Sequence, residues 1–299
     1  MDEHGQATGG RRAELAPGLY LVATPIGAAR DITLRALDIL ATAEVLAAED
    51  TRTLRHLMDI HGIKLGDRPL IAYHDHNGAE ARPRILRALS EGRSVAYCSE
   101  AGTPVVADPG YQLARAAIGA GLPVTAAPGP SAAIMALSLS GLPSDRFLFA
   151  GFPPAQAGAR ARWLDEIGDV PATLILYESP KRISRLLGEL CEAWGADRPA
   201  ALCRELTKRF EEVRRGTLGA LRDGLAEAPV KGEIALVVGR PLDVAPEAAD
   251  VEAALREALG RLRVKEAAAE VAEALGLPRR DVYQMALALK DAGGPEDEG

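Results

Sequence analysis

Residues 94–104, SVAYCSEAGTP, read as a short apolar strand that runs straight into a turn of small and polar residues. The same plan recurs on both sides of it. GLYLVA (residues 18–23) is followed by Thr24-Pro25-Ile26-Gly27, Val45–Ala48 by Glu49-Asp50-Thr51-Arg52, and Pro123–Ala126 by Pro128-Gly129-Pro130-Ser131-Ala132. Pro69–Tyr73 makes a further apolar run, and helical patterns lie between the runs, one from about Thr33 to Ala43. Short strands that alternate with crossover helices predict an α/β fold with a mostly parallel sheet.

The punctuation Gly141-Leu142-Pro143-Ser144 marks a linker. Beyond it, Phe147–Gly151, Thr173–Tyr177, Ala200–Arg204, Glu212–Gly216 and Glu233–Val238 are strand-like, with helices at about Pro180–Trp194 and Leu218–Ala226. Glu212–Gly216 follows Ala200–Arg204 closely enough to pair antiparallel, so a mixed sheet is expected here. From Val251 to Lys290 the pattern is helical, and the break Gly276-Leu277-Pro278 resembles a helix-turn-helix corner. The expected organisation is a disordered tail (1–16), an N-terminal α/β domain (17–141), a second α/β domain (142–241), a helical C-terminal module (250–290) and a second disordered tail (291–299).

A net charge of −7 argues against a protein that coats nucleic acid non-specifically, because counterion release needs many Lys and Arg contacts. A local basic surface on an acidic body is still allowed. Cys98, Cys191 and Cys203 are too few and too scattered for a disulfide framework or a paired-cysteine metal site, and read as reduced residues of a cytoplasmic protein. The polar stretch Met1–Pro17 has no apolar segment of the kind a signal peptide needs. The longest apolar run, Ala126–Leu142, is interrupted by Pro128, Gly129, Pro130 and Gly141 and is no membrane span.

In an open parallel sheet, ligands sit outside the carboxyl ends of the strands, so the turns after the strands are the place to look. The TPIG turn alone is an ordinary turn. SEAGTP, continuing to Asp108-Pro109-Gly110, and PGPSA taken together point to a ligand site, since small residues let the backbone approach a ligand closely. Ser131 stands where it can cap the following helix. Neither GxGxxG at the first strand–helix junction nor GxxxxGK[ST] is present, which favours a ligand without a phosphate chain, such as an adenosyl group.

LYLVATPIG, DITLRAL, AAEDTR, YHDHN, SEAGTP with DPG, PGPSA, ESPKR, RELTK with EE, and KGE occur in this order across residues 19–233. The series resembles the tetrapyrrole-methylase superfamily of S-adenosylmethionine-dependent enzymes. Within it, the chain is similar to the bacterial branch that methylates a cytidine 2′-hydroxyl in the decoding region of 16S rRNA. The resemblance implies a two-domain tetrapyrrole-methylase-like fold with the cofactor in the cleft between two α/β domains, in a homodimer. Carried over residue by residue, it implies cofactor contacts at Pro25, Glu100, Gly102, Thr103, Ser131, Ala132, Tyr177, Glu178, Leu206 and Gly232. Two departures stand out: Glu100 replaces the family's Asp, and Ala28-Ala29-Arg30-Asp31 opens the first helix where the family usually has Asn and an acidic residue.

Methyl transfer to a ribose hydroxyl needs alignment and a route for the hydroxyl proton, and requires no metal. Two clusters offer a base or a cation. One is Glu49, Asp50 and Arg52; the other is Arg204, Glu205, Lys208 and Glu211. Lys208, Glu49 and Arg204 are the catalytic candidates. Arg52, Lys181, Arg182 and Arg185 are candidates for RNA phosphates, with Arg182 and Arg185 on one helix face; surface pairing with Glu189 and Glu192 is the plainer alternative. His74 and His76 could face one way at a strand end, but lack further ligands at suitable spacing, so a rim contact or hydrogen-bonded turn is favoured over metal. The helix-turn-helix shape, with Lys265, Arg279, Arg280 and Tyr283 around its corner, suggests docking to nucleic acid or the ribosome or equally a packing module, since nearby acids almost balance the bases. The rival readings are a small-molecule methyltransferase acting on a porphyrin-like ring and a non-catalytic ribosome-binding factor.

Overall fold

The computed structural model describes residues 14–106, 108–242, 248–275 and 277–292; most of both expected tails lies outside these residues. The chain divides into two compact units, the first ending at Pro241 and the second beginning at Leu242.

The first unit opens with a sheet built from β1 (Gly18–Val22), β2 (Val45–Ala48), β3 (Leu70–Ala72), β4 (Ser94–Cys98) and β5 (Val124–Ala127), in the order β3-β2-β4-β1-β5. All its pairings are parallel. Every residue of β2 and β4 is buried, which is why these strands read as continuous apolar runs: helices cover both faces. Helices α1 (Leu34–Thr42) and α2 (Thr51–Ile60) lie on one face, closing a core of Val22, Ile39, Leu40, Leu46 and Met58. On the other face α3 (Gly78–Ser90) and α4 (Gly110–Gly119) close over Leu19, Tyr73, Ile85, Tyr97 and Leu113. Thr33 caps α1 by accepting from the Ala36 amide, and Asp50 caps α2 by accepting from the Arg52 and Thr53 amides.

Helix α5 (Ala132–Ser140) ends at Gly141, whose φ of 76° a side chain would strain. It precedes the linker in sequence, yet its Ala133, Ala136 and Leu137 pack with Ile175, Ala201, Cys203, Ala235 and Val237 of the second sheet. That sheet comprises β6 (Phe147–Gly151), β7 (Thr173–Glu178), β8 (Pro199–Arg204), β9 (Glu212–Thr217) and β10 (Ile234–Val238), in the order β6-β7-β10-β8-β9. Strands β6 and β7 are parallel and the other pairs antiparallel, including β8 with β9 as expected. Its outer face is covered by α6 (Ala157–Gly168), α7 (Ile183–Trp194) and α8 (Leu218–Glu227) through Leu164, Leu174, Leu186, Leu190, Leu202 and Leu221.

Helix α6 was not legible in the sequence, because one of its core positions carries a charge. Arg160 is 2% exposed and forms a bidentate pair with Glu189 at 2.5 and 2.6 Å. That pairing is what allows a guanidinium to be buried.

In the second unit α9 (Ala248–Leu259), α10 (Val264–Leu275) and α11 (Arg279–Ala292) share a core of Val251, Leu255, Ala268, Val271, Val282 and Ala286. The α10–α11 connection is closed by the Leu277 amide donating to the Ala272 carbonyl and the Asp281 amide to Pro278; Gly276 lies outside the described residues. Among the described residues, no helix is long and apolar enough to cross a membrane.

Candidate active site

The turns that leave the first sheet are stitched to one another. Thr24 and Gly102 exchange two backbone hydrogen bonds of 3.0 Å, tying the first turn to the fourth. Thr103 Oγ1 donates to the Pro130 carbonyl at 2.8 Å, tying the fourth to the fifth. The Glu100 amide donates to Glu49 Oε2 at 3.0 Å, bringing in the turn after β2. A Cβ on Gly129 would stand 2.7 Å from the Ala23 Cβ, so the close approach of the first and fifth turns needs glycine there.

The second sheet supplies the facing wall. Residues 205–211 form a turn in which Glu205 and Thr207 both have left-handed backbones, with φ of 49° and 64°. For a β-branched residue that conformation is a genuine outlier, and two bonds hold it. Thr207 Oγ1 accepts from the Ala28 amide at 3.0 Å, and the Thr207 amide donates to Glu211 Oε2 at 2.6 Å. The turn therefore presses on the TPIG loop. A Cβ on Gly27 would meet Thr207 Oγ1 at 2.5 Å and Lys208 Cγ at 2.6 Å.

Between the walls lies a cleft of about 820 Å³, inside the range of small-ligand sites. Every residue expected around the cofactor lines it: Pro25, Glu100, Gly102, Thr103, Ser131, Ala132, Tyr177, Glu178, Leu206 and Gly232. The helix-capping role expected of Ser131 is not seen. It occupies the N-cap position of α5, but its hydroxyl makes no capping bond among the described residues. Glu178 is 3% exposed, and its carboxylate is taken up by the Ser179 amide at 2.7 Å and by Arg182 at 3.1 Å.

Of the catalytic candidates, Glu49 and Lys208 line the cleft. Burial raises the Glu49 pKa above the usual carboxylate value, and the nearby Asp108, Glu100 and Asp75 charges add to this against the Glu100 amide bond. Lys208 Nζ lies 3.1 Å from Glu205 Oε1 and 2.8 Å from Glu233 Oε2. Burial works to lower its pKa, but the two carboxylates outweigh burial and leave it above that of an ordinary lysine. Lys208 is thus a held ammonium and not a base. Arg204 ends β8 as expected but lies outside the cleft lining, paired with Glu212 at 2.5 Å, where it ties β8 to β9.

Asp50 and Arg52, expected beside Glu49, pair with each other at 2.8 Å at the start of α2, and the Arg52 side chain is 90% exposed. Lys181 and Arg185 are exposed. Arg182 does not share a helix face with Arg185: it precedes α7, and its guanidinium donates to the Pro153 carbonyl at 2.6 Å as well as facing Glu178. Glu189, expected as a surface partner, belongs to Arg160. His74 and His76 flank a turn in which Asn77 accepts from the His74 amide at 2.8 Å and donates to the Ala72 carbonyl at 2.9 Å; their rings meet edge-on. Among the described residues, no group of three or more His, Cys, Asp or Glu could hold a metal ion.

Several lining residues escaped the sequence reading as functional side chains, among them Phe152, Glu233 and Asp108. Asp108 stood in the quoted DPG, which was its only signal. Its Oδ1 accepts from Tyr97 Oη at 3.1 Å and from the Val105 and Gly110 amides at 3.2 and 2.5 Å, closing the loop beyond SEAGTP. Val105 is held there at φ 78°.

A two-sheet body with its cleft at the carboxyl ends of a parallel sheet is the architecture of a methylase class. The family model described as Tetrapyrrole (Corrin/Porphyrin) Methylases matches residues 18–222, and one described as the RsmI C-terminal HTH domain matches residues 245–290. A relative from Mesorhizobium japonicum, named ribosomal RNA small subunit methyltransferase I, is 50% identical over 95% of this chain and 96% of its own length. One of the same name from Erythrobacter litoralis is 48% identical over 92% and 96%. Among solved structures, uroporphyrin-III C-methyltransferase from Thermus thermophilus in complex with S-adenosylhomocysteine shares the fold, with a TM-score of 0.53 and 21% identity over 74% of this chain and 97% of that one. The chain belongs to the tetrapyrrole methylase family and, within it, to the family of ribosomal RNA small subunit methyltransferase I.

Proposed function

We propose that this chain transfers the methyl group of S-adenosylmethionine to the 2′-hydroxyl of a cytidine in the decoding region of 16S rRNA, acting in the cytoplasm as a homodimer. The observation that carries the reading is the convergence of every expected cofactor residue, from turns of two different sheets, on one cleft. The 50% identity to a small-subunit rRNA methyltransferase selects RNA over a tetrapyrrole as acceptor.

The cleft suits the cofactor chemically. Gly102, at φ 80°, and Gly232, at φ 90°, leave bare backbone on two of its walls. Glu49, Glu100, Asp108, Glu178, Glu205 and Glu233 line the cleft against a single lysine among its described lining residues, so the field favours a sulfonium cation. Pro25, Gly102, Thr103, Ser131 and Ala132 from the first sheet, with Tyr177, Leu206 and Gly232 from the second, would hold it. Bound there, S-adenosylmethionine supplies an electrophilic methyl and a neutral leaving group.

The chain's own contribution is alignment, charge and a place for one proton. The stitched turns and the pinned 205–211 turn hold the two walls at a set spacing, which an in-line displacement demands. Glu49 accepts the proton of the acceptor hydroxyl, and its raised pKa makes it a better base than an exposed carboxylate. Lys208, kept protonated by Glu205 and Glu233, stabilises the negative charge that grows on that oxygen. Arg52, Lys181 and Arg185, all exposed, contact RNA phosphates.

The test is incubation with labelled S-adenosylmethionine and, separately, unmodified 30S subunits, naked 16S rRNA and a uroporphyrinogen-type ring. Label in RNA, and most in 30S subunits, is expected, since an acidic chain with few phosphate contacts suits a preformed, shaped substrate. Label in the ring alone would overturn the reading.

A further inference from the structure

We propose that Phe152 is the platform on which the nucleobase of the acceptor nucleotide stacks, an inference that rests on the RNA-methyltransferase reading. Phe152 lines the cleft and is 58% exposed, a large apolar ring left open in a wall that is otherwise mostly polar or small. Its ring packs edge-to-face with Tyr177, centroids 5.5 Å apart, and Tyr177 packs the same way with Phe149 at 4.9 Å.

The backbone is built to aim it. In an unbroken β6, Phe152 would fall on the face of Leu148 and Ala150, which pack toward the core under α6 and α7. The register against β7 instead slips between Phe149 and Gly151, and the extra residue turns everything after it to the opposite face. Phe152 thereby joins Phe149 and Tyr177 on the cleft side.

Two guanidiniums then fasten the corner behind it. Arg182 donates to the Pro153 carbonyl at 2.6 Å, and Arg160 donates to the Pro154 and Ala155 carbonyls at 2.9 Å each. Both cations are anchored, Arg160 on Glu189 and Arg182 on Glu178. Two prolines and two anchored arginines spend much charge on a short surface corner unless its rigidity has a use. A rigid aromatic face that binds without reordering loses little entropy on stacking. An unpaired base offers the matching π-face, and RNA-modifying proteins meet splayed bases in this way.

The adenine of the cofactor carries the same chemistry. Phe152 follows β6, an edge strand of the second sheet, whereas the small-residue turns belong to the first; that difference of origin points to the acceptor base, and cofactor affinity measured on the variants separates the two ligands.

The experiment compares wild type with Phe152→Ala, Phe152→Leu and Phe152→Trp in steady-state methylation of unmodified 30S subunits, with cofactor affinity measured separately by calorimetry. The side chain is exposed, so the variants fold. The expected result is a KM for 30S subunits raised about 5- to 150-fold in the Ala and Leu variants, the equivalent of about 1–3 kcal/mol of stacking, with Trp close to wild type and cofactor affinity unchanged in all. An unchanged KM in Phe152→Ala, or rescue by Leu as complete as by Trp, overturns the stacking role. Cofactor affinity that weakens by the same factor assigns the ring to adenine and overturns the acceptor-base role. Wild type that methylates no RNA overturns the parent reading, and this proposal with it.

Discussion

Gly232→Ala tests how the Lys208 turn is held. Gly232 has φ 90°, and a Cβ there would lie 2.4 Å from Cγ, Cδ and Oε1 of Glu205. A left-handed alanine costs about 1–2 kcal/mol by itself. Because the stem of Glu205 is struck as well as its tip, the whole side chain must swing away. It then gives up its bonds to the Glu233 amide at 3.0 Å and to Lys208 Nζ at 3.1 Å, each worth about 0.5–1.5 kcal/mol. The expected loss of stability is about 2–5 kcal/mol, read in urea as a lower midpoint with an unchanged slope. Cofactor affinity falls with it, since the bare backbone of Gly232 lines the cleft. In a Glu205→Ala background the clash is gone, and adding the alanine should cost only the backbone share of about 1–2 kcal/mol. A Gly232→Ala protein as stable as wild type, or an equal cost in both backgrounds, refutes the reasoning.

Three further outcomes follow from the same structure. Burial raises the Glu49 pKa, so turnover should fall as pH drops through a value above the usual carboxylate range, and Glu49→Gln should lose turnover and that inflection together. The folded-state pKa lies above the unfolded one, so ionising Glu49 loses stability as pH rises through the folded value. Glu49→Gln should therefore be at least as stable as wild type at neutral pH, and marked destabilisation in urea would contradict this. Ser131→Ala should change stability by less than about 0.5 kcal/mol, because no capping bond is lost, while weakening cofactor binding; a loss near the 1 kcal/mol of a true cap would show that the hydroxyl caps α5. Burial pushes the Cys98 thiol up to about 12 and Cys203 to about 11, whereas Cys191 is only half-buried. A thiol reagent at neutral pH should label Cys191 first and the other two only on unfolding, which peptide mapping of the labelled protein would verify.

The parallel sheet was legible because its strands are buried on both faces and stand as plain apolar runs between turns. The turns that line the cleft were legible for a related reason: SEAGTP and PGPSA crowd small residues where loops must touch. What escaped was side-chain partnership across long distances in sequence. Nothing local shows that Arg160 pairs with Glu189, that Arg182 fastens Pro153, or that Arg204 faces Glu212 instead of the cleft. Helix α6 was hidden by that buried arginine, and Phe152 by a bulge that reverses the side-chain alternation on which strand reading depends. The left-handed Thr207 has no sequence signature, since its strain is held by Ala28 at the far end of the chain.

The most direct measurement is methyl transfer from labelled S-adenosylmethionine to 30S subunits purified from cells lacking this protein, with the product nucleosides resolved. The account predicts label in 2′-O-methylcytidine from 16S rRNA, abolished by adding S-adenosylhomocysteine. Label confined to a methylated base, or none in RNA despite measurable cofactor binding, would contradict it.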